Sequence, residues 1–281
     1  MLIGGDGMND LDSDGGDDII VPGPMTDRME GMLGFDWVTY KGHTQPVVAD
    51  MRFTVLIPPT LQRIRARFDL VEGLSGWEGN DVLRGLTGID DIVDNSEGHD
   101  LTEAQLDRVA GLRPLLRPND SHANYACRFM AGGECGLPPI DSDGTSNIIL
   151  GGGGSDIIEG RAGDDFIDGD AWLDVQLRWN KPGPDEFFDS AAEIADRIIA
   201  REINPADISI HRSIKPPVTP GGIDTAVYTN SAGEYSIRYN GDGYWEIFHD
   251  GSAELEESDG RDILRNIEML EFPDGCVPLS Q

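Results

Sequence analysis

Gly, Asp and an aliphatic residue recur in a fixed order every nine residues, and this register limits the fold more than any other property of the chain. It is plainest in GGGGSDIIEGRAGDDFIDGDAW, residues 151 to 172. Eleven units follow it, in three clusters at residues 4–39, 67–93 and 142–177. The sixth position holds Asn9, Asp18, Asp27 and Asp36 in the first cluster, Glu72, Asp81 and Asp90 in the second, and Asn147, Asp156, Asp165 and Asp174 in the third. The eighth position holds Leu11, Ile20, Met29 and Val38, then Leu74, Leu83 and Ile92, then Ile149, Ile158 and Ile167; it fails only at Gln176.

Six residues of turn followed by three of strand explain the order. Glycines allow the turn to take positive φ and let successive backbones approach. In the three-residue strand the central side chain points inward and its neighbours point out. Two units then make one turn of a flattened right-handed coil, with the aliphatics stacked inside it. Units two apart share an edge, so their sixth-position carboxylates and turn carbonyls face one gap. An all-oxygen set suits Ca²⁺, and zinc is disfavoured because the repeats contain neither His nor Cys. The expected metal positions are Asn9, Asp18, Asp27, Asp36, Asp81, Asp90, Asn147, Asp156, Asp165 and Asp174, with the turn glycines Gly151, Gly153, Gly160 and Gly169. A lone turn of this kind would be read as a solvated loop; eleven in register argue for calcium. Glu72 is read as a rung-linking residue rather than a ligand, and the turns at Pro22–Met25 and at Thr145 and Asn147 depart from the pattern.

Charge points the same way. Asp and Glu number 52 against 21 Lys and Arg, a net charge of −31. Such a surface opposes compaction until cations screen it, and it excludes nucleic acid and anionic membrane as partners. Acidity alone would fit a salt-adapted protein or a disordered tail, but glycines in register with Ile, Leu and Val argue against disorder. No stretch reaches the length of a membrane span, and MLIGGDG lacks the features of a signal peptide, so the chain reads as a piece of something larger. Cys127 and Cys135 are close enough in sequence to pair in an oxidising compartment, leaving Cys276 over.

The expected fold is mostly β: a parallel β-roll assembled from the three clusters, with helical and loop insertions and a small C-terminal antiparallel β unit. The roll occupies 1–188, with insertions at 40–66 and 94–141 looped out or packed on its side. In the second insertion LTEAQLDRVAGLRPLL has helical spacing, with Thr102 as N-cap. In the first, MRFTVLI alternates like a strand. DSAAEIADRIIAREI, at 189–203, reads as an amphipathic helix capping the roll, within a capping region of 189–214. A linker follows at 215–222 and the β unit at 223–281, where Asp259–Leu264 echoes the repeat once and is read as a turn.

Catalytic motifs are missing from the sequence: no HExxH, no GxSxG, no phosphate loop ending in GK[ST]. His99-Asp100 and His249-Asp250 are adjacent pairs without a nucleophile, and read as surface residues.

The nonapeptide resembles the hemolysin-type (RTX) repeat, GGxGxDxUx. GMLGFDWVTYKG, VEGLSGWEGNDVLRG, SNIILGGGGSDIIEGRAGDDFIDGDAWLDVQLR, INPADISI and DGRDILRNIEMLEFPDG together resemble the C-terminal RTX region of large secreted bacterial proteins with an animal-type haem peroxidase domain. The resemblance implies secretion, by a type I system, and calcium-driven folding outside the cell. It implies no peroxidase chemistry here, since haem-binding residues belong to a separate upstream domain. The competing reading is an adhesin-like domain, in which Trp77 and the 122–141 loop present a glycan- or protein-binding surface on a calcium-stiffened scaffold.

Overall fold

A computed structural model describes residues 1–53, 66–87, 99, 101–117, 125–130, 146–219, 221–249 and 259–280. Asp90, Ile92, Cys135, most of MRFTVLI and most of the 122–141 loop lie outside these residues. The protein is mostly β, and its strands are largely parallel. Nine strands form one sheet and six a second, and two further sheets have three strands each.

The nonapeptide register sets the pairing. Ile20 lies opposite Val38, Leu11 opposite Met29 and Ile149 opposite Ile167, each two units on. The nine-stranded sheet runs unbroken across all three clusters: Trp37–Thr39 pairs with Gly73–Ser75, which pairs with Ile148–Leu150, all in parallel. The six-stranded sheet joins the second and third clusters, with Leu83 opposite Ile158, while Asp10–Asp12 and Arg28–Glu30 of the first cluster pair instead with Arg67–Asp69 in a three-stranded sheet. Eighth-position side chains form one buried core: Leu11, Ile20, Met29, Val38, Leu74, Leu83, Ile149, Ile158 and Ile167. Ile158 is fully buried, whereas Ile157 beside it is 42% exposed. Ile158→Ala should therefore cost about 2–5 kcal/mol, and Ile157→Ala within about 0.5 kcal/mol of nothing, in thermal unfolding under identical salt and metal conditions.

A second core lies on the outer face of the nine-stranded sheet. Strand residues flanking the eighth position are apolar there (Ile19, Trp37, Ile148, Leu150, Phe166), and Leu101, Leu106, Leu112, Leu116 and Phe129 from the second insertion cover them. Thr102 caps the helix Glu103–Leu106 through a capping box with Gln105. Gly111, at φ 90°, separates this helix from a second, Leu112–Leu116. The insertion thus packs on the side of the sheet. The first insertion supplies Val48–Asp50, the edge strand of the six-stranded sheet.

Two expectations need correction. The amphipathic helix at 189–203 is a 3-10 turn, Ala191–Ile194, and a short α-helix, Ala195–Ile199. Ile194 and Ile203 are buried but Ile199 is 79% exposed, so no continuous apolar stripe sustains it. Its Arg197 lies over the rings of Trp179 and Phe188, placing it against the three-stranded antiparallel sheet Trp172–Trp179, Glu186–Phe188 and Ile208–Lys215. The C-terminal segment is not a separate antiparallel unit either. Thr225–Val227 pairs in parallel with Ile157–Glu159, and Arg261–Arg265 with Phe166–Asp168. Ala226, Leu264 and Leu270 extend the eighth-position core. Among the described residues there, Tyr235–Gly241, Tyr244–His249 and Gly275–Pro278 add antiparallel pairings, onto each other, onto Arg261–Arg265 and onto Met269–Phe272.

Candidate metal centre

Sixth-position acids form two hydrogen-bonded columns, one leading into each large sheet. In the first, the Asp18 amide donates to Asp36 Oδ1 (2.7 Å), that of Asp36 to Glu72 Oε2 (2.7 Å), that of Asn147 to Asp165 Oδ1 (2.6 Å) and that of Asp165 to Asp262 Oδ1 (3.0 Å). In the second, the amides of Asp81, Asp156 and Asp224 donate to Asp156 Oδ1 (2.7 Å), Asp224 Oδ1 (2.7 Å) and Glu268 Oε2 (2.9 Å). The spacing follows from the register, because each amide directly precedes a strand that pairs in parallel with the strand opened by the acid that accepts it.

Glycine has two separate tasks in these turns. The fourth position takes positive φ at Gly7, Gly16, Gly34, Gly154 and Gly163, though not at Gly79. The first position is kept bare by close approach. A Cβ on Gly151 would collide with the Gly169 carbonyl oxygen and stand 2.6 Å from Asp156 Oδ2. Gly76 meets the Gly151 carbonyl oxygen, and Gly85 that of Gly160, in the same way. The carbonyls of Gly151, Gly160 and Gly169 therefore crowd beside the acid column. Gly153 instead bridges to Glu78 on the neighbouring turn.

The acids are buried: Asp36 and Asp165 are fully buried, and Asp156 is 1% exposed. Burial and the neighbouring Glu72 push the Asp36 carboxyl up to about 9. Burial, with Asp224 and Asp81 nearby, pushes Asp156 to about 8. Burial, with Glu268 and Asp170 nearby, pushes Asp224 to about 7. Desolvation also raises Asp81, against hydrogen bonds from the amides of Val47 and Trp77. Asp36 Oδ2 and Asp156 Oδ2 are buried with no hydrogen-bond partner. A protein that buries an orphaned carboxylate oxygen leaves a place for a cation or a proton.

The predicted positions differ in how well they suit a metal. Asp36, Asp81, Asp156 and Asp165 stand in the columns. Asp27 has both oxygens engaged by backbone amides, from Asn9 (2.6 Å) and Gly23 (2.6 Å). Asp18 lies 3.2 Å from the N-terminal ammonium. The Asn9 carboxamide donates to the carbonyl of Gly5, and Asn147 Oδ1 accepts from the Leu86 amide. Asp174 is a correction. Its unit leaves the register because Trp172–Trp179 pairs antiparallel with Ile208–Lys215, and Lys41 Nζ sits 2.6 Å from its carboxylate. Sequence reasoning passed over Asp224 and Glu268 and read the repeat echo at Asp262 only as a turn; all three continue the columns. Glu72 links rungs by accepting the Asp36 amide, and its second oxygen lies 3.2 Å from Nδ1 of His99, an imidazole that the insertion brings to the column.

Among the described residues, no three Asp, Glu, His or Cys side chains converge as a metal cluster. A cation in these columns must take paired carboxylates together with turn carbonyls and water, a set that Ca²⁺ accepts with six to eight oxygens. The donors at Asp36 and Asp156 fit that chemistry, since each has a free buried oxygen and no sulfur or imidazole nitrogen is offered to the gap by the repeats.

Arg161 shows how the fold treats an acid that does have a partner. It occupies a second position at φ 72°, is 7% exposed, and grips Asp50 with two nitrogens (2.8 and 3.2 Å). Burial alone would raise Asp50, yet the guanidinium holds it below the usual range. Arg161→Met leaves buried Asp50 with only Arg52, whose half-exposed guanidinium lies 3.2 Å away, as an ion-pair partner, and should cost up to about 3–5 kcal/mol in urea unfolding; adding Asp50→Leu should recover most of it.

The residues offered for other functions are occupied structurally. Trp77 packs edge-on against Trp172, centroids 4.1 Å apart. His249 is buried and stacked on Tyr235. Cys127 is disulfide-bonded and Cys276 is free and exposed. Among the described residues, no helix is long and apolar enough to cross a membrane. Neither a protein-family model nor a curated protein matches the sequence.

Proposed function

We propose that the chain is a calcium-binding RTX module, a parallel β-roll that folds on Ca²⁺ outside the cell. In this reading it is the secretion, stability or scaffold region of a larger secreted protein, and the sequence resemblance suggests a haem peroxidase as that protein. The module does no chemistry of its own. One observation carries the reading: two columns of buried acids, stacked at the repeat spacing, with orphaned oxygens at Asp36 and Asp156.

The residues that would hold the ion are Asp36, Asp156 and Asp165, with the carbonyls of Gly151, Gly160 and Gly169; Asp81, like Asp27, has both oxygens engaged by backbone amides, from Val47 (2.8 Å) and Trp77 (3.1 Å). When bound, Ca²⁺ supplies two positive charges to each gap between like charges. The chain's part is to place those carboxylates one rung apart, to keep the first-position glycines bare so that carbonyls reach the gap, and to stack the eighth-position core beneath. Without the ion, repulsion and glycine entropy hold the turns open. A low-calcium compartment then keeps the chain extended for export, and external calcium in the millimolar range closes the turns. The test is far-UV circular dichroism in chelator and then in Ca²⁺. Identical spectra in the two conditions would refute the reading.

A further inference from the structure

The repeat turn 151–156 has as its upper neighbour a segment from outside the repeats, residues 221–224. The fit is as close as between true units. The Ile223 amide donates to Ser155 Oγ (2.9 Å), the Thr225 amide to the Asp156 carbonyl (2.8 Å), and the Asp156 amide to Asp224 Oδ1 (2.7 Å). A Cβ on Gly222 would collide with the Gly154 carbonyl oxygen. On the other side of the gap, a Cβ on Gly169 would stand 2.7 Å from Asp224 Oδ2 and collide with the Asn266 carbonyl oxygen.

Two pairs of oxygens thus stand on successive rungs, Asp156 Oδ2 with the Gly169 carbonyl beside Gly151, and Asp224 Oδ2 with the Asn266 carbonyl beside Gly169, and the gap in question is the one between these rungs. Asp156 is 1% exposed and Asp224 2%. Asp156 Oδ2 has no partner, and it lies beside the Gly169 carbonyl oxygen, both within contact of the position that a Gly151 Cβ would take. Arg265, on the adjoining strand, is held by Asp168 (3.3 Å). The gap therefore combines buried negative charge, an orphaned oxygen and hard donors.

We propose that a divalent cation of calcium type binds between Asp156 and Asp224 and clasps the C-terminal segment 221–272 onto the repeats. The proposal rests on the calcium reading above and goes beyond it: one ion ties together parts of the chain 68 residues apart. Loss of that ion should release strands Thr225–Val227 and Met269–Phe272 before the N-terminal strands open.

Asp224→Asn in the full chain tests this, because Asn keeps an acceptor for the Asp156 amide and removes only the charge. Hydrogen exchange in millimolar Ca²⁺ should quicken about 100-fold at 225–227 and 269–272, the factor by which an ion at ~100 times its Kd suppresses opening. Ile19–Val21 should keep its protection, and metal analysis should count one calcium fewer per chain. Unchanged exchange and an unchanged calcium count in the variant would overturn the clasp. Wild-type protein that binds no calcium would overturn both the clasp and the wider reading. If the variant fails to fold, anomalous scattering from wild-type crystals grown in calcium decides. A peak at about 2.3–2.6 Å from Asp156 and Asp224 oxygens supports the clasp; ions at other turns with none there overturn it.

Discussion

In chelator at neutral pH the protein is expected to give the far-UV spectrum of an unfolded chain, and millimolar Ca²⁺ is expected to restore β structure in one cooperative step. The force opposing the metal-free fold is electrostatic. The chain carries −31, and folding buries sixth-position acids one rung apart: Asp36, Asp81, Asp156, Asp165 and Asp262 are each at most 2% exposed. Each ion present at 100 times its Kd stabilises the folded state by about 2.7 kcal/mol. Three such ions supply an amount within the usual total stability of a domain, about 5–15 kcal/mol, so removing them should unfold the chain outright. Mg²⁺ should not substitute, because it demands a tight octahedron and sheds water reluctantly. A chelator-treated protein with the same spectrum and melting temperature as the calcium form would sink the expectation. A melting temperature raised equally by Mg²⁺ would show screening rather than sites.

Much of this was legible because the repeat couples two positions to one function each. The eighth position must be apolar and the sixth must be an acid or amide, so strand register and acid columns follow from counting. Counting misled at Asp174, where the sixth position still matched; the failed eighth position, Gln176, was the available signal that the chain had left the register. Counting also missed Asp224 and Glu268, and the echo of the repeat at Asp262 was read only as a turn. Each of these rungs keeps the acid and the apolar residue two further on, as in Asp224-Thr225-Ala226 and Glu268-Met269-Leu270. Asp224 and Asp262 also keep a glycine two residues before the acid, Gly222 and Gly260, that packs on the turn below, whereas Glu268 has none. Single copies outside the nine-residue run gave counting nothing to register against. The covered outer face could have been read from Trp37, Ile148, Leu150 and Phe166, apolar at positions that should face water. The pairing of His99 with Glu72 had no signal in the sequence, since it depends on how the insertion folds back.

Acid should do part of the work of calcium, and the two should compete. In the metal-free fold Asp36 is pushed up to about 9, Asp156 to about 8 and Asp224 to about 7, burial being the first cause in each. The unfolded chain titrates these groups near 3.9, so between those limits the folded state binds more protons than the unfolded one. Stability from these groups is therefore complete below about pH 4 and lost as pH rises through about 7 to 9. Asp50 works in the opposite sense. Against the effect of burial, Arg161 lowers its pKa, so its contribution is present above about pH 4 and lost as pH falls through the folded value. The metal-free protein should accordingly be most stable near about pH 5, with structure regained on acidification from neutral pH and lost again at strongly acid pH. Each pKa unit is worth about 1.4 kcal/mol, so even a fraction of these displacements outweighs a typical surface substitution. Calcium reverses the slope above about pH 5, because the ion binds only the ionised carboxylates and its affinity must rise as protons leave. Far-UV circular dichroism at about pH 5, 7 and 9 should therefore diverge: in chelator β structure is present at about pH 5 and lost by neutral pH, whereas in calcium it persists and its urea midpoint rises with pH. The same pH dependence in chelator and in calcium would mean that protons and calcium act at different places, and that the buried acid columns hold no ion.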